Sequence, residues 1–211
     1  MQIGVDEAGK GPVLGSMFVA AVRADPENIP ADVDDSKRLP PTRREELAEQ
    51  LRKQADAISV AEIPVDRIDD SDTDMNGLTV AGHAKALDGV ADGDCDCYLD
   101  AGDTNAVRFE RRVGSRVNPT IDIRAEHGAD EEYPIVGAAS IIAKSAREDH
   151  VSSLKAEFGS VGSGYPGDDT TRTFLREFVK ERGQLPACAR KSWQTSRDIL
   201  GEIDQAALTD F

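Results

Sequence analysis

The N-terminal segment constrains the fold more than any other part of the chain. Gln2 to Asp6 alternates apolar and polar residues, with Ile3 and Val5 on one face, and Ser16 to Val22 is a second run of strand-forming residues. Glycines at positions 9, 11 and 15 lie between the two runs. This pattern predicts an antiparallel pair of strands joined by a glycine-rich connection.

The rest of the chain predicts helices and strands in alternation. Strands are predicted at Ala57 to Ile63, Cys97 to Asp100 and Ile121 to Ile123, and helices at Thr42 to Ala55, along the stripe Leu78, Val80, Ala84 and Leu87, at Ala106 to Val113 and at Pro134 to Phe158. This order indicates an α/β fold whose mixed central sheet is antiparallel first and parallel later, flanked by helices. The chain from Tyr165 onwards is predicted to be helical.

Composition limits the class of protein. A chain of 211 residues is expected to form one compact domain with at most a small appendage. It has no apolar stretch near the ~20 residues that a membrane span needs and no signal-peptide pattern, so we expect a cytoplasmic protein. The three cysteines form no even set and no C-x-x-C pair, which argues against a disulfide framework or a zinc ribbon.

The chain is strongly acidic, with 40 Asp and Glu residues against 25 Lys and Arg residues and a formal net charge of −15. Such a charge repels nucleic acid, but abundant Asp and scarce Lys also suit hydration in concentrated salt. We therefore expect a salt-adapted, halophilic protein and do not exclude a polyanionic substrate. The locally basic region from Arg172 to Arg197 is a candidate phosphate-facing surface, unless its charges only balance those along helix faces.

Acidic residues follow two of the predicted strands. Asp6 and Glu7 come directly after the first strand, Asp100 closes another, and Asp130 lies just before the long helix. Because strand ends and helix starts meet at one edge of an α/β sheet, these side chains are expected to converge. Clustered carboxylates repel one another unless cations lie between them, and Mg²⁺ prefers oxygen ligands. Two such ions would activate a water and stabilise the leaving oxygen of a phosphodiester. The alternative interpretation of the Asp6–Glu7 pair is an exposed acidic turn without a metal.

A nucleotide-binding loop is a competing interpretation of the N-terminal segment. Gly4 to Lys10 fits G-x-x-x-x-G-K, but Gly11 follows where a P-loop has Ser or Thr to hold the metal. Two acids would also point at the phosphates, so we disfavour a nucleotide hydrolase. His127, three residues before Asp130, is a candidate proton shuttle, although a lone histidine is more often structural.

Several segments together resemble ribonuclease HII in its archaeal form. They occur in the family's order: GVDEAGKGP at 4–12, DSK at 35–37, YLDA at 98–101, ADEEYP at 129–134, AASIIAK at 138–144, GSGYP at 162–166 and RKSW at 190–193. The resemblance implies a ribonuclease H-like fold with a C-terminal helical extension. It also implies an endoribonuclease, a ribonuclease H, that hydrolyses the RNA strand of RNA/DNA hybrids, including single ribonucleotides embedded in duplex DNA.

The resemblance further implies two divalent ions, Mg²⁺ or Mn²⁺, and products with 3′-hydroxyl and 5′-phosphate ends. Position by position, it identifies the metal-binding catalytic acids as Asp6, Glu7, Asp100 and Asp130. Gly9-Lys10-Gly11 matches the loop that senses the ribose 2′-hydroxyl, although the family usually has arginine at the position of Lys10. A noncatalytic adaptor, which would bind hybrids or a clamp without cleavage, is the alternative.

Three further positions match residues that contact substrate in the family. Tyr165 matches the aromatic that packs on the nucleotide after the ribonucleotide. Lys37 and Lys144 match positions close to the site that would bind backbone phosphates.

The C-terminal residues resemble a sliding-clamp-binding peptide. The spacing Q-x-x-L-x-x-F is matched by Gln205, Leu208 and Phe211. In such a peptide one helical turn places the two apolar side chains in a pocket; the alternative is a frayed tail.

The resemblance as a whole divides the chain into three parts. We predict a catalytic domain over residues 1–160, a helical substrate-binding extension over residues 161–203 and this tail over residues 204–211.

Overall fold

The computed structural model describes residues 1–35, 40–92, 95–117 and 121–209, with side chains throughout except at residues 34, 35, 204 and 206–209. Lys37 and Phe211, and the side chain of Leu208, lie outside the described residues, so their predicted roles stay predictions. The chain forms two compact units. The first contains Met1–Lys10, Met17–Glu62 and Met75–Arg147, and the second contains Gly11–Ser16, Ile63–Asp74 and Glu148–Phe211.

A mixed sheet, five-stranded within the described ranges, organises the first unit. Its strands are β1 (Gln2–Ala8), β2 (Met17–Ala24), β3 (Ala57–Ile63), β4 (Asp96–Asp100) and β5 (Ile123–Glu126), in the order β3-β2-β1-β4-β5. β1 runs antiparallel to β2, with Val5 opposite Ala21, and parallel to β4, with Val5 beside Leu99. β5 is parallel to β4. The predicted mixed α/β sheet is confirmed.

One strand begins later than predicted. Ile121 to Ile123 alternates apolar and polar residues, but only Ile123 belongs to β5, where it pairs with Cys97. The Asp122 carbonyl oxygen accepts a hydrogen bond from the Cys97 N–H at 3.2 Å, just before the strand starts. The strand's position is therefore set by its pairing with β4 and not by the local alternation.

The helices follow the predicted pattern with two additions. The described α-helices are α1 (Pro41–Gln54), α2 (Val65–Ile68), α3 (Met75–Asp88), α4 (Ala106–Gly114), α5 (Ala129–Glu132), α6 (Pro134–Phe158), α7 (Asp169–Arg182) and α8 (Gln194–Thr209). The four helices predicted before residue 160 correspond to α1, α3, α4 and α6. The short helices α2 and α5 have no counterpart in the prediction, because one turn is too short to show a helical period.

Apolar side chains cover both faces of the sheet. Because successive strand residues point to opposite faces, Ile3 and Val5 share one face, where they pack with the fully buried Phe109 of α4. Residues of α1 and α6 cover the other face. Gly4 allows α6 to approach β1 closely, since a Cβ at that position would overlap the carbonyl oxygen of Ile135.

The second unit has a core of its own between α7, α8 and the segment before β2. Leu14 and Leu175 are fully buried there, and so is Arg190. The Arg190 Nε donates to the Gly15 carbonyl oxygen at 2.8 Å, and its guanidinium lies 4.7 Å from the centroid of the Trp193 ring. A carbonyl acceptor and an aromatic face thus accommodate the buried charge.

The burial of Arg190 corrects the predicted phosphate-facing surface over Arg172 to Arg197. Arg176 of α7 pairs with Glu202 of α8 at 3.2 Å, so part of this positive charge is balanced by an acid on a neighbouring helix. Lys191 and Arg197 are exposed. Part of this basic region therefore belongs to the core and part to helix pairing, and only its exposed members can face a phosphate backbone.

Two further findings concern the class of protein. Across the helices that the structure describes, none is both long and apolar enough to cross a membrane. Cys95, Cys97 and Cys188 are free cysteines, and Cys97 and Cys188 are buried.

Candidate active site

Two neighbouring acids at the end of β1 point to opposite faces of the sheet. Asp6 is 6% exposed and faces the buried Ser140 of α6, and its Oδ1 accepts the Glu7 N–H at 2.7 Å. The Glu7 side chain is directed towards α3 and is 11% exposed. The alternation of a strand therefore places one carboxylate against each helical layer.

β4 and α5 bring two more acids to the same edge. The residues before Asp6 and Asp100 are paired in parallel register, so these two acids follow on adjacent strands. The Asp100 Oδ1 accepts the Ala129 N–H at 2.9 Å, which joins the end of β4 to α5. Asp130 follows in α5 and is 6% exposed. The structure thus gathers the four predicted acids, called the acid group below: Asp6, Glu7, Asp100 and Asp130.

The members of the acid group influence one another's ionisation. Burial raises the pKa of Asp6 well above its ordinary value, and the charges of Glu7 and Asp100 raise it further. Burial also raises the pKa of Asp100, and the charges of Asp130 and Glu7 add to that effect. This mutual effect agrees with the geometry, in which the parallel register of β1 with β4 and the hydrogen bond from Ala129 to Asp100 bring these acids to one edge. Full ionisation of the acid group therefore calls for added positive charge.

Glu7 differs from the other acids because both of its oxygens have cationic or donor neighbours. Its Oε2 lies 2.9 Å from Nε2 of His83 in α3, and its Oε1 lies 3.9 Å from Nζ of Lys10. Burial raises the pKa of Glu7, but the hydrogen bond to His83 and the interactions with His83 and Lys10 outweigh burial, so the pKa is lowered. Glu7 is therefore held as an ionised carboxylate.

An open cavity of about 470 Å³ lies beside Glu7. Residues of the first unit line it: Glu7, Lys10, Asn76, Ala101, Gly102, Asp103, Thr104 and His127. His127, the predicted candidate proton shuttle, is exposed there. The volume is in the range of small-ligand sites, so the cavity gives a substrate access to one side of the acid group.

The donor chemistry of the acid group fits a hard divalent cation. All four members are carboxylates, the ligand type that Mg²⁺ and Mn²⁺ prefer. In the part of the chain that the structure describes, no group of three or more His, Cys, Asp or Glu side chains forms a ready-made metal site. Mg²⁺ usually keeps several waters and takes substrate phosphate oxygens as ligands. A site that substrate completes therefore explains why the donors suit Mg²⁺ although the described side chains form no finished metal site.

The predicted 2′-hydroxyl loop begins directly after β1. Gly9 has a φ of 87°, a left-handed conformation that favours glycine. The Lys10 Nζ donates to the Gly102 carbonyl oxygen, so this side chain turns back towards the acid group. The loop leads into β2 and not into a helix. This connection argues against the nucleotide-hydrolase alternative, because a P-loop holds its phosphates at a helix N-terminus.

Gly11 and Tyr165 lie side by side in the second unit. A Cβ at Gly11 would lie 3.8 Å from Cε1 of Tyr165. Tyr165 is 50% exposed. The Trp193 indole N–H donates to the Gly11 carbonyl oxygen at 3.1 Å, which fixes this part of the loop. Lys144, the other predicted phosphate-binding lysine besides Lys37, lies partly buried in α6.

Sequence reasoning does not find His83. It lies within the apolar stripe of α3, where a lone histidine is usually structural. The available signal is its position, because a polar ring in the core needs a hydrogen-bond partner. The structure shows that the partner is Glu7.

Comparisons with known proteins identify the family of this chain. The family model described as Ribonuclease HII matches residues 3–196. A protein named Ribonuclease HII from Haloarcula marismortui is 59% identical over 211 residues, with 100% of each chain covered.

Two solved structures share the fold. The ribonuclease H2 from Pyrococcus horikoshii OT3 superposes with a TM-score of 0.90 at 35% identity, covering 96% of this chain and 98% of that chain. The PCNA:RNase HII complex from Archaeoglobus fulgidus matches with a TM-score of 0.85 at 37% identity, covering 94% and 96%. Sequence, fold and the geometry of the sheet edge point the same way, and the chain belongs to the ribonuclease HII family.

Proposed function

We propose that this chain cuts RNA/DNA hybrids and also single ribonucleotides embedded in duplex DNA, using two divalent ions and leaving 3′-hydroxyl and 5′-phosphate ends. As a ribonuclease H, it is an endonuclease of the RNA strand of RNA/DNA hybrids. The observation that supports the finer proposal is the convergence of the acid group at one sheet edge, where β1 and β4 end in register and Asp100 is joined to α5.

The part of this chain in the reaction is to hold the carboxylates in place, while bound cations would supply the positive charge that full ionisation of the acid group calls for. The acid group would hold the ions, since all its members are oxygen donors. Bound divalent ions lower the pKa of a water and stabilise charge on the leaving oxygen of a phosphodiester. Asp6 is fixed by the Glu7 N–H, Asp100 by the Ala129 N–H, and Glu7 by His83. Preorganised ligands of this kind reduce the rearrangement needed when substrate binds.

Selectivity for RNA is assigned to the backbone of Gly9-Lys10-Gly11. Only RNA carries a 2′-hydroxyl, and glycines let a backbone approach that group closely. The Lys10 side chain is engaged with the Gly102 carbonyl oxygen, so the backbone of the loop is the part that reads the ribose.

Tyr165 is assigned to stacking on the neighbouring nucleotide, because half of its surface is exposed beside Gly11. Tyr165→Ala is expected to raise the KM for duplex without changing Mn²⁺ binding. An unchanged KM would remove this role. Lys37 and Lys144 are assigned to backbone phosphates.

The C-terminal residues are assigned to a sliding clamp. The matching structure from Archaeoglobus fulgidus is a complex with PCNA. In this chain Gln205 is exposed on α8, which ends at Thr209. Gln205, Leu208 and Phe211 would then bind the clamp through one helical turn.

A duplex with one embedded ribonucleotide tests the catalytic proposal. The protein is incubated with Mg²⁺ or Mn²⁺ at low and at molar KCl, and the product ends are identified. We expect a single cut at the ribonucleotide, with a 3′-hydroxyl and a 5′-phosphate. Binding of the duplex without cleavage under either metal would favour the noncatalytic adaptor.

A matched pair of variants tests the acid group. Asp130→Asn is expected to abolish cleavage with the fold intact, because it removes a charge at the sheet edge. Asp169→Asn, at an exposed acid of α7, is the control and should cleave normally. An active Asp130→Asn protein would remove Asp130 from the mechanism.

A further inference from the structure

His83 reaches the acid group from inside the protein. Its side chain has no exposed surface, and its Nε2 lies 2.9 Å from Oε2 of Glu7. An ionised carboxylate oxygen can only accept, so Nε2 carries the proton of this hydrogen bond. Because the Glu7 side chain is only 11% exposed, little water competes for the contact.

Packing fixes the orientation of the His83 ring. Phe109 meets it edge-on, with the ring centroids 4.9 Å apart and the planes at 85°. Nδ1 of His83 is buried and has no hydrogen-bond partner in the described ranges of the chain. The hydrogen bond to Glu7 is therefore the polar contact that sets the ring. Rotation of the ring would break this hydrogen bond and leave a buried N–H and a carboxylate oxygen without partners, which costs free energy.

The two oxygens of Glu7 have different neighbours. Oε2 lies 2.9 Å from Nε2 of His83, whereas Oε1 lies 3.9 Å from Nζ of Lys10. A Cβ at Gly102 would be 3.1 Å from Oε1 and 3.4 Å from Oε2, so the whole carboxylate borders Gly102. Lys10 and Gly102 both line the cavity beside Glu7. Fixing Oε2 therefore leaves Oε1 on the side from which substrate and cations arrive.

We propose that His83 is a positioning residue for Glu7, whose Nε2–H holds Oε2 so that Oε1 is presented to a divalent cation and to the substrate phosphate. This inference rests on the proposed function of the acid group. A freed glutamate would sample several rotamers and lose the geometry of a ligand. Loss of an outer partner that orients a metal ligand typically weakens metal affinity by about 10- to 100-fold.

Two variants separate the donor from the bulk of the ring. His83→Gln places an amide N–H near the position of Nε2, and His83→Phe keeps the ring volume without a donor. Mn²⁺ binding to the protein alone is measured by the electron paramagnetic resonance signal of free Mn²⁺. We expect His83→Phe to weaken binding by roughly 10-fold and His83→Gln to retain most of the affinity.

Cleavage kinetics supply a second readout that a structural role would not move. In His83→Phe the Mn²⁺ concentration for half-maximal cleavage should rise by a similar factor of roughly 10, while the KM for the duplex stays unchanged. A residue needed only for packing would instead lower the melting temperature and the active fraction and leave the Mn²⁺ dependence unchanged.

Glu7→Gln distinguishes failure of this inference from failure of the proposed function. If Glu7→Gln binds Mn²⁺ and cleaves like the unchanged protein, the assignment of the acid group fails. If Glu7→Gln is inactive but His83→Phe keeps full Mn²⁺ affinity, only the positioning role is overturned. Equal losses in His83→Phe and His83→Gln overturn it too, because the retained donor then has no effect.

Discussion

Asp6 and Glu7 are adjacent in the sequence, yet their pKa values shift in opposite directions. Asp6 lies against other carboxylates, so burial and repulsion both oppose its charge. Glu7 points to the other face, where His83 and Lys10 stabilise its charge against burial. The strand's alternation therefore decides which acid is a fixed anion and which one destabilises the folded state when it is ionised.

Asp6→Asn is expected to stabilise the metal-free protein at neutral pH. The pKa of Asp6 is raised in the folded state above its ordinary value of 3.8, so its stabilising contribution is present below that value and is lost as the pH rises through the folded pKa. Asparagine keeps an oxygen that can accept the Glu7 N–H and carries no charge. At pH 7 with EDTA we expect the melting temperature to rise by at least about 2 °C, which corresponds to about 1 kcal/mol in a chain of this size.

Acid and metal provide the controls for this experiment. The difference between Asp6→Asn and the unchanged protein should shrink as the pH falls to about 3.5, where the unfolded carboxyl is also protonated. Added Mn²⁺ should stabilise the unchanged protein more than the variant, because ligand binding favours the folded state. A variant that melts below the unchanged protein at pH 7 with EDTA would contradict the burial argument.

Among the elements, those with a strong local pattern could be predicted from the sequence. The alternation in β1 and the apolar run of β2 predicted their pairing, and the predicted bounds of β3 and α6 agree with the structure. These elements are long enough for their period to appear in the sequence itself. The expected meeting of Asp6 and Asp100 followed from the rule that parallel strands end at one edge.

Features that depend on contacts distant in sequence could not be predicted. Asp130 lies just before α6 as expected, but the single turn α5 that carries it was not predicted. The role of His83 depends on which face of β1 the helix α3 covers, and the burial of Arg190 depends on the Gly15 carbonyl oxygen. None of these contacts leaves a periodic signal in the sequence.

The end of α8 carries a prediction of its own. Under the proposed clamp binding, Leu208→Ala combined with Phe211→Ala is expected to weaken the affinity for a sliding clamp by at least about 100-fold, since each apolar side chain that the clamp buries contributes about 2 kcal/mol. Surface plasmon resonance with immobilised clamp measures the loss. Cleavage of a hybrid without clamp should stay unchanged, because the acid group is not altered.

Asp210→Asn, between the two apolar positions, is the matched control and should bind the clamp normally. Unchanged affinity in the Leu208 and Phe211 double variant would show that the tail is not the binding peptide. The frayed-tail alternative would then be the better interpretation.

At the scale of the whole molecule, the charge of −15 opposes both folding and the approach of a polyanion. At 0.1 M salt the screening length is about 10 Å, so acids on neighbouring elements repel one another. At 1 M it falls to about 3 Å and the repulsion is confined to direct contacts. Phosphate contacts also weaken in salt, so high salt stabilises the fold while it loosens the ionic part of substrate binding.

The melting temperature is therefore expected to rise by at least about 4 °C between low and molar KCl, a shift that corresponds to about 1–2 kcal/mol in a chain of this size.

A variant with three exposed acids neutralised tests whether charge repulsion causes this shift: Asp56→Asn, Asp72→Asn and Glu177→Gln. Repulsion grows roughly with the square of the net charge, so a change to about −12 removes about a third of it. The variant should melt higher at low KCl and gain less from added KCl. An equal gain in both proteins would assign the salt effect to strengthened apolar burial and not to charge screening.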